Sequence, residues 1–279
     1  MSVVTRFAPS PTGLLHRGHA YAALFAASMA QPTGGRFLLR IEDIDAGRCR
    51  EEFVDALLAD LAWLGLTWEQ PVRRQSAHMP TYRAALDALA ARGVLYPCFC
   101  TRRDIAAEIA RAGAAPHGPD GPIYPGTCRA LDPVRAAERV ATGAPHALRL
   151  DVRHALTLTG PLAWEDRAAG RILADPAALG DVVLARKDMP ASYHLAVTLD
   201  DHLQGVSLVT RGADLFEATH MHRLLQALLG LDVPTWHHHP LLTAADGQRL
   251  AKRHGAPSLS ALRAAGADPV ALRRDLGFA

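Results

Sequence analysis

Apolar residues recur along this chain in two alternating periods. Residues 36–42 (RFLLRIE) are rich in large apolar side chains and end in charge, which predicts a strand. From Arg50 to Leu64 the spacing changes, and Phe53, Leu57, Leu58, Leu61 and Leu64 recur at helical intervals. A second amphipathic helix is predicted from about Thr81 to Arg92, with Tyr82, Leu86 and Leu89 on one face and Gly93 as its stop. Ahead of these, a β-like run (Val3, Val4, Phe7) meets two prolines and a glycine, and an alanine-rich helical pattern starts near Gly18. Further on, strand-like stretches are expected at 146–153 and 179–186 and apolar runs at 192–199 and 205–210. A helix is predicted at 215–229 (LFEATHMHRLLQALL), then two short helical pieces beginning near Ser258 and Pro269. Residues 97–128 have another texture: a Cys-x-Cys pair, a helical piece from Asp104 to Ala112, and the loop GAAPHGPDGPIYPGTC. Strand and helix alternate at both ends, so the pattern predicts an α/β core with an insertion between its halves.

Composition changes this picture little. The chain has 279 residues, 49% apolar and 21% charged, enough for a sizeable core and ordinary for a globular protein. No apolar run reaches the roughly 18 residues of a membrane span. Arg6 and two prolines interrupt the place where a signal peptide would be apolar, so the expected location is the cytoplasm. A net charge of +2 neither demands nor excludes a nucleic-acid partner. All but two of the 30 basic residues are arginine, which makes Lys187 and Lys252 candidates for sites where a compact ammonium matters more than a planar guanidinium. Cysteines number four, and three of them, Cys98, Cys100 and Cys128, fall in one segment. In a reducing compartment that spacing points to metal rather than to a disulfide framework.

The chemistry begins in RFAPSPTGLLHRGHAYAALF, Arg6 to Phe25. Neither the G-x-x-x-x-G-K-[ST] loop nor the G-x-G-x-x-G fingerprint is present. A strand, a glycine-containing turn and a helix start nevertheless suit a phosphate, with free N–H groups at the helix N-terminus and His16 and His19 as added donors. The stretch GQRLAKRHGA, Gly247 to Ala256, carries Lys252 near the other end. With these two elements the sequence resembles the class I aminoacyl-tRNA synthetases, specifically the glutamyl branch. The first looks like the HIGH motif of that class and the second like its KMSKS loop. Arg249 and Ala251 stand where that loop usually has Lys and Ser. RIEDIDAGR (Arg40–Arg48), YHLAVTLDDHLQ (Tyr193–Gln204) and RGADL (Arg211–Leu215) resemble glutamyl-branch segments in the same order, so the resemblance covers nearly the whole chain.

The resemblance implies a Rossmann-like parallel sheet with helices on both faces, a zinc-bearing insertion and a short C-terminal helical and loop segment. The implied division is 1–95 and 179–235 for the two halves of the catalytic domain, 96–178 for the insertion, and 236–279 for the KMSKS-like loop and tail. ATP is the implied co-substrate, with Mg2+. His16, Gly18, His19 and Lys252 take catalytic and ATP-binding roles. Arg6, Ala8, Ser10, Glu42, Tyr193 and Arg211 match the glutamate-binding positions. Chemically, Arg6 and Arg211 are expected each to pair with a carboxylate, Tyr193 to donate to one, and Glu42 to hold the ammonium.

Three thiolates leave one tetrahedral zinc position. By chemistry alone His117 is the better fourth ligand than Tyr124, whereas the resemblance, through a Cys-x-Cys then Tyr-x-x-x-Cys pattern, favours Tyr124. His237, His238 and His239 cannot all face one ion and read as a strand-to-loop segment. Cys49, Lys187 and the four tryptophans are read as packing or surface residues. Only about two dozen residues follow RLAKRHGA, so the chain resembles the short, stand-alone glutamyl-Q tRNA(Asp) synthetases, which have no anticodon-binding domain. The implied partners are L-glutamate, ATP and tRNA-Asp bearing queuosine, acted on by a monomer. The rival readings are a synthetase that charges the 3′ end of tRNA-Glu and a non-catalytic, zinc-containing RNA-binding module.

Overall fold

The computed structural model describes residues 2–111, 117–118, 121–242 and 257–278. The first half runs β1 (Val4–Phe7), α1 (Arg17–Ala30), β2 (Arg36–Ile41), α2 (Glu51–Trp63), β3 (Arg73–Arg74) and α3 (Met79–Ala91). The middle holds β4 (Leu95–Cys98), α4 (Arg102–Arg111), β5 (His117–Gly118), β6 (Gly121–Pro122), α5 (Pro133–Ala141), β7 (Ala147–Leu150), α6 (Val152–Thr159), β8 (Ala163–Asp166) and β9 (Gly170–Leu173). The second half follows with β10 (Val183–Ala185), α7 (Tyr193–Leu203), β11 (Leu208–Gly212), α8 (Ala218–Leu229), β12 (Thr235–His239), α9 (Leu259–Ala264) and α10 (Pro269–Asp275).

Strands β1, β2 and β3 pair in parallel, as do β11, β12 and β8, with β9 antiparallel on the edge. The two groups meet where Ser207 N donates to Val4 O at 3.1 Å. β1 and β11 are thus neighbours whose chains then cross outward in opposite directions, through α1 to β2 and through α8 to β12. A crevice opens at such a switch point beyond the carboxyl ends of the strands. Successive residues Leu38 and Leu39 of β2 enter different cores, because side chains alternate across a sheet. Leu39 packs with α1 and α2 through Ala20, Leu24, Leu57 and Leu61, and Leu38 packs with Val4, Trp164, Val209 and Trp236.

Helices α3, α7 and α8 form a further core with the antiparallel sheet β10-β7-β4. The C-terminal helices close on α2: Leu259, Leu272 and Leu276 are buried there, and Arg263 pairs with the buried Asp60 at 3.2 Å. The predicted helices at 50–64, 81–92 and 215–229 are α2, α3 and α8, each shifted by a few residues at its ends.

Two stretches differ in detail from a plain strand or apolar run. The stretch 146–153 is strand only to Leu150, since Asp151 caps α6 by accepting from His154 N. The apolar run 192–199 belongs to an 11-residue helix, α7, which Ser192 caps and which continues through Asp200 and Asp201. The middle segment shares sheets with the second half. β8 pairs with β12 inside the parallel sheet, β10 joins the antiparallel sheet of the middle segment, and β12 continues to His239.

Candidate active site

A cleft of about 590 Å3 lies at the carboxyl ends of β1 and β11. Ala8 and Ser10 line it after β1, His16, Gly18 and His19 where α1 begins, and Gly212 and Leu215 after β11. His16 is the N-cap of α1: its Nδ1 accepts from Gly18 N at 3.1 Å, and His19 Nδ1 accepts from His16 N at 3.2 Å. The two rings lie 3.8 Å apart, centroid to centroid. This reciprocal cap is why glycine stands between them, since a Cβ on Gly18 would sit 3.0 Å from His16 Cε1. Lys252, Arg249 and Ala251 lie outside the described residues. The flanks of that segment meet the cleft, with Leu241 and Leu242 in its wall and Leu259 N donating to Leu15 O at 2.8 Å.

Beneath the cleft a charge cluster joins the two halves of the sheet to α7. Arg6 donates through Nε to Asp201 Oδ1 at 2.9 Å and through Nη2 to Oδ2 at 3.3 Å, and its Nη1 reaches Thr210 O at 3.0 Å. Arg40, fully buried, donates to Asp201 Oδ1 at 2.8 Å and to Glu42 Oε1 at 3.2 Å. The neighbouring Asp200 accepts from Arg73, Gln75 and Tyr82. Burial alone would raise the Asp201 carboxyl, but the guanidinium groups of Arg6 and Arg40 outweigh it and hold it below the usual carboxylate range. Glu42 goes the other way: burial raises it, and Arg40 and Arg6 offset only part of the rise. Glu42 N donates to Pro9 O at 3.0 Å, which brings the end of β2 against the Ala8–Ser10 turn. The carboxylate that Arg6 engages is therefore Asp201 of the chain itself.

Arg211 is built differently. Its side chain is buried at the end of β11, with Nε donating to His238 Nε2 at 3.1 Å and Nη2 to Thr219 Oγ1 at 2.6 Å. Nη1 lies 3.1 Å from His222 Nδ1 and 3.4 Å from Tyr193 Oη. Burial pushes this guanidinium below the usual arginine range, with Tyr193 opposing the shift. Burial raises the Tyr193 phenol, Arg211 pulls it down and Glu42 adds to the rise, so Tyr193, Arg211, Glu42 and Arg6 act within one shared field. Burial followed by Arg211 keeps His222 well below the ordinary histidine value, and the same two causes take His238 to about 4. Both rings are neutral at pH 7.

The described residues also gather the three cysteines predicted to act together. The Sγ atoms of Cys98, Cys100 and Cys128 lie within 4.8 Å of one another. Tyr124 Oη is 3.5 Å from Cys98 Sγ and 3.6 Å from Cys100 Sγ, and it accepts from Cys128 N at 2.8 Å. Burial and then the adjacent Cys128 push the Cys100 thiol up to about 11. Cys128 is held low despite burial by the Tyr124 hydroxyl and the Phe99 N–H. The side chain of His117 lies outside the described residues. Lys187 donates to Phe99 O at 3.2 Å, tying this cluster to the chain leading into α7.

Sequence reasoning did not find Asp201, Arg40, Thr219, His222 and Asp166. The available signal was the unusual pair Asp200-Asp201 inside an otherwise apolar helix face, since buried acids are rare unless paired.

The family described as tRNA synthetases class I (E and Q), catalytic domain, matches residues 2–278. The glutamyl-Q tRNA(Asp) synthetase of Rhodobacter capsulatus is 51% identical, over 99% of this chain and 100% of that protein. The glutamate–tRNA ligase 2 of Acidithiobacillus ferrooxidans is 43% identical, over 99% of this chain but 58% of its own length. Among solved structures, a glutamate tRNA ligase from Elizabethkingia meningosepticum in complex with its amino acid superposes with a TM-score of 0.78 at 27% identity. That match covers 92% of this chain and 54% of the ligase, so the chain spans about half of that protein.

Replacing Asp201 by Asn is expected to cost about 3–5 kcal/mol, because two buried guanidinium groups lose their shared carboxylate. Urea unfolding at pH 7 measures this. A second expectation follows from the depressed imidazoles. Between about pH 6.5, where unfolded histidine protonates, and about 4, where native His238 does, the unfolded chain binds more protons. Stability therefore falls as pH drops through that window, and a urea midpoint that stays flat from pH 7 to 5 contradicts the assignment.

Proposed function

The chain belongs to the class I tRNA synthetase family for glutamate and glutamine, and on that premise we propose that it activates L-glutamate with ATP and transfers it to queuosine in the anticodon of tRNA-Asp. The α-carboxylate of glutamate attacks the α-phosphorus of ATP, expelling pyrophosphate and forming glutamyl-adenylate. A hydroxyl of the queuosine cyclopentenediol then attacks the glutamyl carbonyl and AMP leaves. Neither step needs a covalent enzyme intermediate, so the work is alignment and stabilisation of phosphate charge.

The observation that carries the glutamate reading is Arg211. A buried guanidinium with neutral hydrogen-bond partners, beside Tyr193 and one residue before Gly212 of the cleft wall, is a ready counter-charge for a substrate carboxylate. Arg6, fixed by Asp201, retains donor capacity toward the second carboxylate, Glu42 takes the ammonium, and Ala8 and Ser10 shape the turn around it. His16 and His19, with Lys252, hold the ATP phosphates, Gly18 gives the two rings room at the helix start, and Mg2+ accompanies the nucleotide. Identity over the whole length of the Rhodobacter capsulatus protein favours queuosine as acceptor over the 3′ end of tRNA-Glu. The chain is expected to act as a monomer. Among the described residues no helix is long and apolar enough to cross a membrane. A cytoplasmic site of action follows from the need for ATP and tRNA.

Zinc fits the Cys98, Cys100, Cys128 and Tyr124 cluster. Zn–S bonds of roughly 2.3 Å place tetrahedral sulfurs about 3.8 Å apart, compatible with the observed spread. Bound there, zinc supplies a structural cross-link between β4 and the segment before α5.

The first test is glutamate-dependent ATP–pyrophosphate exchange with no tRNA present, followed by transfer of labelled glutamate to tRNA-Asp with and without queuosine. Exchange, and transfer only to the queuosine-bearing tRNA, is the expected result. An ester mapped to the terminal adenosine of tRNA-Glu would move the assignment to the rival synthetase. For the metal, atomic emission is expected to find one zinc per chain, lost in Cys98→Ser and weakened in Tyr124→Phe. Full zinc retention in Tyr124→Phe would return the fourth position to His117.

A further inference from the structure

The two rings behind Arg211 take no part in the steps above, and their geometry gives them a separate task. Among the described residues Arg211 forms no ion pair, whereas Arg6 and Arg40 share Asp201. Lone pairs of neutral groups hold it instead: His238 Nε2, His222 Nδ1 and Thr219 Oγ1. A guanidinium only donates, so each ring atom that faces it accepts. The opposite nitrogens are fixed to match. His238 Nδ1 lies 2.8 Å from Asp166 Oδ2, and the Asp166 carboxylate is itself pinned by the backbone N–H groups of Ala168, Ala169 and His238. His222 Nε2 lies 3.2 Å from His194 Nδ1, to which it donates. Asp166 is thus kept one imidazole away from Arg211, and His194 of α7 backs the other imidazole.

A carboxylate in place of either ring would hold the arginine equally well but would cancel its charge. A ligand amide and a ligand carboxylate would then bind on nearly equal terms. With neutral acceptors the guanidinium is oriented and its charge is left for the ligand to balance.

We propose that His222 is a positioning residue that sets side-chain specificity: with His238 it orients Arg211 without neutralising it, so the cleft selects glutamate over glutamine. This rests on the glutamate reading above and assigns residues to its selectivity. The test is ATP–pyrophosphate exchange with glutamate and with glutamine for the wild type, H222Q, H222L and H222E, with circular dichroism to confirm folding. H222Q keeps an acceptor and is expected to hold the glutamate KM within about threefold. H222L removes the acceptor and raises that KM on the order of tenfold or more, with kcat changed far less. H222E places an anion beside Arg211 and narrows the glutamate-to-glutamine preference by roughly tenfold or more.

A packing role predicts the reverse order, with leucine tolerated and glutamine damaging, and that order overturns the proposal. So does an unchanged preference in a folded H222E. Should H222E not fold, the order of glutamine against leucine still decides. A wild type that gives no exchange with glutamate overturns the glutamate reading itself and this proposal with it. An active wild type insensitive at position 222 overturns this proposal alone.

Discussion

One carboxylate holds the architecture of the cleft together. Asp201, on a helix of the second half, accepts from Arg6 on the first strand and Arg40 on the second, 195 and 161 positions away in the chain. Buried ions are costly unless each is paired in good geometry, so this cluster tolerates few other arrangements. It sets α7 against β1 and β2, and α7 begins with Tyr193. Through Arg40 it also fixes Glu42, which the Pro9 carbonyl then ties to the turn after β1. The turn that lines the cleft after β1 is thus placed by charge pairing below it and by strand order around it.

The two buried arginines near the cleft show how burial and partner choice divide labour. Arg6 and Arg211 are similarly buried and both stand on strands of the parallel sheet. Arg6 is clamped by an acid and serves as a strut as well as a donor. Arg211 is clamped by imidazoles and a hydroxyl, so its charge stays available. The difference lies in which nitrogen or oxygen the neighbouring elements deliver: α7 supplies Asp201 to one, and α8 and β12 supply His222 and His238 to the other.

The cysteine cluster joins the same frame from outside. Cys98 ends β4, whose sheet partner β7 also pairs with β10, and Lys187 bonds the carbonyl of Phe99 just before the chain enters α7. The middle segment is interleaved with the second half, since β8 pairs with β12 and β10 with β7.

Much of the fold was legible locally. The strand at 36–42 and the helices at 50–64, 81–92 and 215–229 follow from apolar periods that few polar residues interrupt, and the Cys-x-Cys spacing from short-range geometry. α7 was less legible because Asp200 and Asp201 break its apolar run while being buried, which only distant arginines make tolerable. By itself the order of residues determined the alternating elements, the ordered motifs of the family and the identity of the cleft candidates, since those depend on neighbours within a turn or a strand. Only the tertiary structure decided that Arg6 answers to Asp201 while Arg211 is left with neutral partners. Those pairings join residues on separate strands and helices, and the side-chain sequence of one element carries no record of which face of another will be packed against it.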